Sequence, residues 1–94
     1  MMASIIRTEH YMDKQMEDYE MPPEGERLEG LQGVVGGYIE ALRLPDGRYL
    51  IINENGRMEG LPLNPLATTI ATIAFEGAVM RIVGDVILCR RGEW

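Results

Sequence analysis

The stretch GGYIEALRLPDGRYLIINENG, residues 36–56, decides the fold of this chain. At its centre, Pro45 presets φ for the second position of a type I turn, and Gly47 can take the left-handed conformation that lets the chain pair again. Apolar and β-branched residues flank this turn on both sides, as is typical of strands. The pattern predicts a β-hairpin built from residues 38–44 and 48–54.

A second turn signal follows at Asn55-Gly56, a dipeptide strongly associated with two-residue hairpin loops. It predicts that the chain reverses again and forms a third strand over residues 57–61. The prediction for residues 38–61 is therefore a three-stranded meander.

The first 21 residues predict an acidic N-terminal hairpin. Residues 3–8 are typical of a strand, and residues 16–21 are expected to return as a second strand after a turn at residues 12–15. A helix is the alternative for residues 11–21, because Met12, Met16 and Tyr19 also suit a helical stripe. The pair Pro22-Pro23 ends the segment abruptly and favours the hairpin.

Two short helices are predicted. The first rests on the spacing of Leu28, Leu31, Val34 and Val35 after a connector at residues 22–25, and it stops at Gly36. The second has Asn64 as N-cap and Pro65 as first helical residue, with a stop at Gly77. Its expected apolar stripe consists of Leu66, Ile70, Ile73 and Ala74. Because β-branched residues are frequent over 66–76, a strand stays the alternative there.

The C-terminal run 79–89 is apolar around Gly84-Asp85, a pair that fits either a tight turn between two short strands or a bulge in one long strand. The expected order of elements is about ββαβββαβ. The predicted fold class is α+β, a small single domain over residues 1–94, with a mostly antiparallel sheet and two short helices. A domain of this size often gains stability by association, so we expect a homo-oligomer.

Acidity is concentrated near the N-terminus. The 94 residues carry a formal charge of −6, and residues 1–29 hold three basic against eight acidic side chains. This imbalance argues against nonspecific nucleic-acid binding. It favours either a solvated acidic face or a surface that imitates nucleic-acid phosphates for a basic partner protein.

The groups that perform common catalysis are scarce. Ser4, His10 and Cys89 are each the only residue of their type, so neither a nucleophile–base pair nor a Cys/His zinc site is expected. The sequence predicts no enzyme, no metal and no cofactor. One cysteine in an apolar run and the lack of a targeting or membrane-spanning segment lead us to expect a cytosolic protein without membrane contact.

Six polar residues are candidates for ligand binding. A helix N-terminus presents free N–H groups, so an anion could bind near the start of the second helix if an arginine arrived from a neighbouring strand or subunit. The structural alternative is that the asparagine only caps the helix and the threonines only pack. The candidates are Asn53, Asn64, Thr68, Thr69, Arg48 and Arg81.

Several short segments, taken in order, resemble a family of small phage, prophage and plasmid proteins catalogued as domain of unknown function 3846. The segments that carry the likeness are residues 28–32, 34–40, 53–57, 61–67 and 82–87. The resemblance implies two strands before the first helix and an accessory protein of a mobile element in the host cytosol. The family brings no established catalytic residues.

Two classes of function follow. The first is a noncatalytic counter-defence protein that sequesters a small nucleotide-like host signal, as the phage context and the polar turn residues suggest. The second is an acidic protein-interaction module that inhibits or adapts a host protein, which the charge asymmetry favours. An uncharacterised enzyme ranks third.

Overall fold

A computed structural model describes residues 2–8, 16–78 and 80–90. One five-stranded sheet runs in the order β2-β1-β5-β4-β3, and every neighbouring pair is antiparallel. This confirms the α+β class with two short helices. The elements are β1 (Met2–Ile6), β2 (Met16–Glu20), α1 (Glu24–Val35), β3 (Ile39–Arg43), β4 (Arg48–Asn53), α2 (Pro65–Ala74) and β5 (Val86–Arg90).

The hairpin predicted from the opening stretch is confirmed. Strands β3 and β4 pair from Ile39 with Asn53 to Arg43 with Tyr49. At the turn, Gly47 has φ of 92° and its N–H donates to the carbonyl of Leu44 at 3.0 Å. The left-handed conformation is the one that glycine adopts without steric cost.

The predicted third strand of the meander is wrong, because residues 54–60 form turns. Instead of a hairpin loop at Asn55-Gly56, the side-chain Oδ1 of Asn53 accepts the backbone N–H of Asn55 at 2.8 Å and starts a turn two residues earlier. The φ of Gly56 is not positive. A Cβ on Gly56 would lie 3.0 Å from Cγ2 of Val83, so this glycine allows a close approach of two segments.

Strands β1 and β2 pair antiparallel, with Met2 opposite Glu20 and Ile6 opposite Met16. Residues 16–20 are therefore a strand and not part of a helix. The turn predicted at residues 12–15 lies outside the described residues.

Helix α1 begins at Glu24, earlier than predicted, so Glu24 and Gly25 belong to the helix and not to the connector. Two acidic residues in its first turn interact favourably with the helix dipole. The expected apolar stripe is only partly correct, because Leu31 and Val35 are buried while Leu28 stays 57% exposed. The helix ends at Gly36, whose φ of 82° confirms the predicted stop.

Helix α2 confirms the helical interpretation of residues 66–74 and the Asn64 cap. Its buried contacts are made by Ala67 and Ala71, and Ile73 is 72% exposed, so the predicted stripe is wrong at Ile73. Small alanines let a helix lie close to a sheet, which periodicity of large apolar residues does not reveal. Past its end, Glu76 takes the left-handed φ of 58°, before Gly77.

The helices pack on opposite faces of the sheet. Along β4, Ile51 packs with Leu31 and Val35 of α1, whereas Leu50 packs with the α2 cluster that includes Ala67. Alternate strand residues point to opposite faces, so the two clusters form two separate core layers.

The chain re-enters the sheet through a break at Gly84, which has φ of 78°. Before the break, Val83 forms an isolated bridge with Leu63, and β5 begins after Asp85. Of the two interpretations of Gly84-Asp85, the turn therefore agrees better with the structure than the bulge does. The segment before the turn is not a full strand, because it pairs only through the single bridge at Val83. None of the helices in the described ranges is long and apolar enough to cross a membrane.

Candidate functional site

The start of α2 is tied to the sheet by Asn64. Its Nδ2 group donates to the carbonyl of Ile6 at 3.0 Å and to that of Gly84 at 2.9 Å, and its Oδ1 accepts the N–H of Ala67 at 3.1 Å. Asn64 has no exposed surface. Both donors and the cap acceptor are used inside the protein, so this amide holds α2 against β1 and the segment before β5.

The hydroxyl group of Thr68 is also used in hydrogen bonds inside the protein. Its hydroxyl accepts the N–H of Ile82 at 3.0 Å and lies 3.2 Å from the carbonyl of Ile82, to which it donates. Thr69, one residue further, is exposed. An anion site at this helix end stays a prediction, and the structure shows that Asn64 and Thr68 already have internal partners.

Asn53 ends β4 and is 4% exposed. Its Nδ2 donates to the carbonyl of Val35 at 3.1 Å and to Oε1 of Glu59 at 3.0 Å. With the Oδ1 contact to Asn55, this side chain connects the end of α1 to the turns that follow β4.

Arg48 lies at the opposite end of β4 from Asn53, so the two do not share a site. Its guanidinium donates to Oδ2 of Asp46 at 2.9 and 2.6 Å. These hydrogen bonds lower the pKa of the Asp46 carboxyl from its usual value. Because both side chains are partly exposed, the pair contributes little to stability.

A cavity of about 340 Å³ brings together Asn53 and Arg81 from the predicted set. It lies on the α2 side of β3 and β4, between the turns after β4 and the segment before β5. Its lining residues are Glu40, Leu42, Ile52, Asn53, Glu54, Arg57, Met58, Met80, Arg81, Ile82 and Val83.

Arg57 is the cavity arginine that sequence reasoning missed, because the pattern predicts a strand over residues 57–61 and no binding role there. Its guanidinium donates to the backbone carbonyl of Arg81 at 2.9 Å, which holds it at the rim and leaves further N–H donors for a ligand. The only indication in the sequence is that an arginine, a residue type that is usually exposed, directly follows a predicted turn. Its position across from Arg81 follows from the fold alone.

The chemistry of the cavity is mixed. Arg57 and Arg81 are exposed and can bind phosphate or carboxylate oxygens, while Glu40 and Glu54 can accept hydrogen bonds. Met58 is 87% exposed, and such flexible apolar side chains adapt to the flat face of a ring. The lining residues include no serine, cysteine or histidine, so the site offers recognition groups and not a nucleophile of those types.

Among the described residues, no cluster of three or more His, Cys, Asp or Glu is placed to hold a metal ion. Cys89 is buried in the α1-side core.

Neither a curated protein nor a solved structure matches the chain. A model of the family described as domain of unknown function (DUF3846) matches residues 4–93, nearly the whole chain, and the protein therefore belongs to that family.

Proposed function

We propose that this protein is a noncatalytic binder of a small nucleotide-like molecule, acting as a phage-type accessory protein that sequesters a host defence signal in the host cytosol. The observation that carries the proposal is the pair Arg57 and Arg81 at the rim of the 340 Å³ cavity. The volume suits a small molecule, since ligand pockets are typically about 300–1,000 Å³.

Each part of a nucleotide has a counterpart in the cavity. The two guanidinium groups fit phosphate oxygens, with which arginine makes paired hydrogen bonds. The side chains of Met58 and Met80 offer apolar surface to a base. Carboxylates of Glu40 and Glu54 can accept hydrogen bonds from ribose hydroxyls or from the amino group of a base.

Sequestration requires binding and no bond breaking, which agrees with a lining made of recognition groups. The phage context rests on the resemblance to proteins of mobile elements. An uncharacterised enzyme is the weakest of the three hypotheses, because only carboxylates and arginines stand in the cavity for acid–base work.

Calorimetric titration with a panel of cyclic and ADP-ribose-derived nucleotides tests this proposal. We expect one class to bind, and Arg81→Gln or Arg57→Gln to weaken its binding at least tenfold. Arg48→Gln is the matched control, because Arg48 lies at the far end of β4 and does not line the cavity.

Mass spectrometry of the released ligand should show an unchanged molecule. A turned-over product would contradict the noncatalytic function. Absence of binding at millimolar nucleotide would contradict the nucleotide-like ligand, and equal weakening by the Arg48 variant would contradict the assigned site.

A second candidate function, an acidic interaction module, is favoured by the exposed carboxylates of edge strand β2. Glu17, Asp18 and Glu20 are all exposed there, and Glu24 and Glu26 begin α1 beside it. Glu17 is partly neutralised, because Arg7 donates to it at 2.8 Å. A basic host protein would be steered to this surface.

Pull-down from host lysate at low and high salt distinguishes the two functions. A partner that is captured at low salt, released by high salt and lost in an Asp18→Lys and Glu20→Lys double variant would support the interaction module. No capture at either salt concentration would count against it.

A further inference from the structure

The two edges of the sheet are strands β2 and β3, and the outer side of β3 has no neighbouring strand. On its inner side, the carbonyl of Tyr38 accepts the N–H of Glu54 at 2.9 Å, and the N–H of Leu44 donates to the backbone carbonyl of Arg48 at 2.8 Å. Backbone groups of an antiparallel strand point alternately to the two sides. Glu40 and Leu42 therefore face β4.

It follows that the N–H and C=O groups of Ile39, Ala41 and Arg43 point outward. No strand among the described residues pairs with them. A row of such groups is a template for another strand, and proteins commonly protect it with charge, proline or a bulge.

Strand β2 carries such protection and β3 does not. Three exposed acidic residues on β2, Glu17, Asp18 and Glu20, would repel the same residues of a second copy. Strand β3 holds one acidic and one basic residue and therefore has no net charge. It also contains no proline and pairs with β4 without a bulge.

We propose that a second copy of this chain pairs with the outer edge of β3, antiparallel, with Ala41 opposite Ala41 of the second copy. A twofold axis perpendicular to the sheet keeps each face on its own side, so residues of the same face stand opposite each other. Ile39 then lies opposite the second copy's Arg43. All outward groups are used, which makes about six backbone hydrogen bonds between the copies.

Charge complementarity supports this register on the α1 side. A depression of about 270 Å³ lies next to Ile39, between β3 and α1, and it is lined by Glu24, Arg27, Leu28, Leu31 and Ile39. The side chain of the second copy's Arg43 extends over Ile39 into this depression. There its guanidinium meets the carboxylate of Glu24, and its methylene groups cover the exposed Leu28.

Arg27 also lines this depression, and its Nε donates to the carbonyl of Pro22 at 3.1 Å. Because that carbonyl is neutral, Arg27 keeps its charge, and Glu24 is the group that attracts the second copy's Arg43. Twofold symmetry forms the Glu24–Arg43 pair twice. The two sheets become one continuous sheet of ten strands, twice the five of each copy.

On the α2 side, the same register affects the candidate cavity. Glu40 and Leu42 line that cavity and are the β3 residues on this face. In the dimer, the second copy's Leu42 stands opposite Glu40 and extends the cavity wall. The dimer therefore sets the two cavities side by side across the twofold axis.

Sedimentation equilibrium of the full chain tests the association. We expect a species of twice the 10.6 kDa chain mass, and at least a tenfold weaker association in Arg43→Glu, which sets Glu against Glu24. The exchanged pair Glu24→Arg with Arg43→Glu should restore the dimer. Arg90→Glu is the matched control, because it makes the same charge change on β5, two strands away from the edge.

Ala41→Pro tests the backbone pairing. The N–H of Ala41 points away from β4, so proline leaves the β3–β4 hydrogen bonds in place but removes the central bonds between copies. Circular dichroism and the urea midpoint report whether the variant is folded. If Ala41→Pro does not fold, the loss of association in Arg43→Glu and its recovery with Glu24→Arg still test the dimer.

Amide hydrogen exchange gives a readout at single residues. Protection of the amides of Ile39, Ala41 and Arg43 should rise with protein concentration, while Glu40 and Leu42 stay protected throughout. A monomer at millimolar concentration overturns the proposal. So does a dimer that Arg43→Glu and Ala41→Pro leave unchanged, or a β3 edge that binds only a foreign peptide. Each outcome is independent of whether a nucleotide binds.

Discussion

The start of α2 and the cavity beside β3 differ in what their polar groups do, although both contain residues that were expected to bind a ligand. At the start of α2, Asn64 makes three internal hydrogen bonds and has no exposed surface. At the cavity, Arg57 and Arg81 are exposed. The difference teaches that a polar residue at a helix start can hold the fold together, whereas donors left at a rim are available for recognition.

The largest effect is expected at Asn64. Replacement of Asn64 by Ala leaves two buried carbonyls and one buried N–H without partners and should lower the free energy of unfolding by about 3 kcal/mol. Urea denaturation monitored by circular dichroism measures this loss.

The matched variant Asn64→Asp keeps an oxygen for the N–H of Ala67 but loses both donors. It should be at least as destabilising, because it sets a buried carboxylate against the carbonyls of Ile6 and Gly84. If either variant lost less than about 1 kcal/mol, the start of α2 would not be held as described.

Asn53 tests whether a residue can belong to both regions, because it lines the cavity and is also bonded internally. Asn53→Ala should lower the free energy of unfolding by about 2 kcal/mol, since the carbonyl of Val35 and the N–H of Asn55 lose a partner. The control Glu59→Gln retains an acceptor oxygen for Asn53 and should cost less than half of that. Equal losses in the two variants would assign the stability to Glu59.

Thr68 and Thr69 form an internal comparison of a bonded and an exposed neighbour. Thr68→Val removes both hydrogen bonds to Ile82 at nearly constant volume and should cost about 1 kcal/mol. Thr69→Val should be close to neutral in the same thermal or urea unfolding measurement. A larger effect at Thr69 would contradict the assignment.

The smallest effect on stability is expected at the cavity rim. Arg57→Gln and Arg81→Gln should each change the free energy of unfolding by less than about 0.5 kcal/mol, as exposed substitutions usually do. The same variants carry the largest expected loss of nucleotide affinity. A rim arginine whose replacement destabilised the protein as strongly as Asn64→Ala would remove the contrast between the two regions.

Local turn and cap chemistry made much of the fold predictable. Gly47, Gly36 and the Asn64 cap were correctly placed, because each depends on a few neighbouring residues. The hairpin predicted at Asn55-Gly56 was wrong, because the local conformation there does not depend on those two residues alone. The side chain of Asn53 competes for the local backbone, and the tight contact of Gly56 with Val83 involves a segment far along the chain.

The candidate site was less predictable than the fold. Asn53 and Arg81 were named from their residue types, and the structure places both at one cavity. Arg57 was missed, and Arg48 lies at the far end of β4. Residue type indicates which groups can bind an anion, but the distance between them depends on how the turns after β4 pack against the segment before β5.

By itself, the sequence determined the class of fold, the two helices, the β3–β4 hairpin and the acidic character of the first 29 residues, because these depend on local conformational preference and on charge. Only the tertiary structure decided which face each helix covers, which polar groups are used internally and which edge of the sheet is left unprotected. Those properties arise from contacts between residues distant in the chain, and a linear pattern does not specify such contacts.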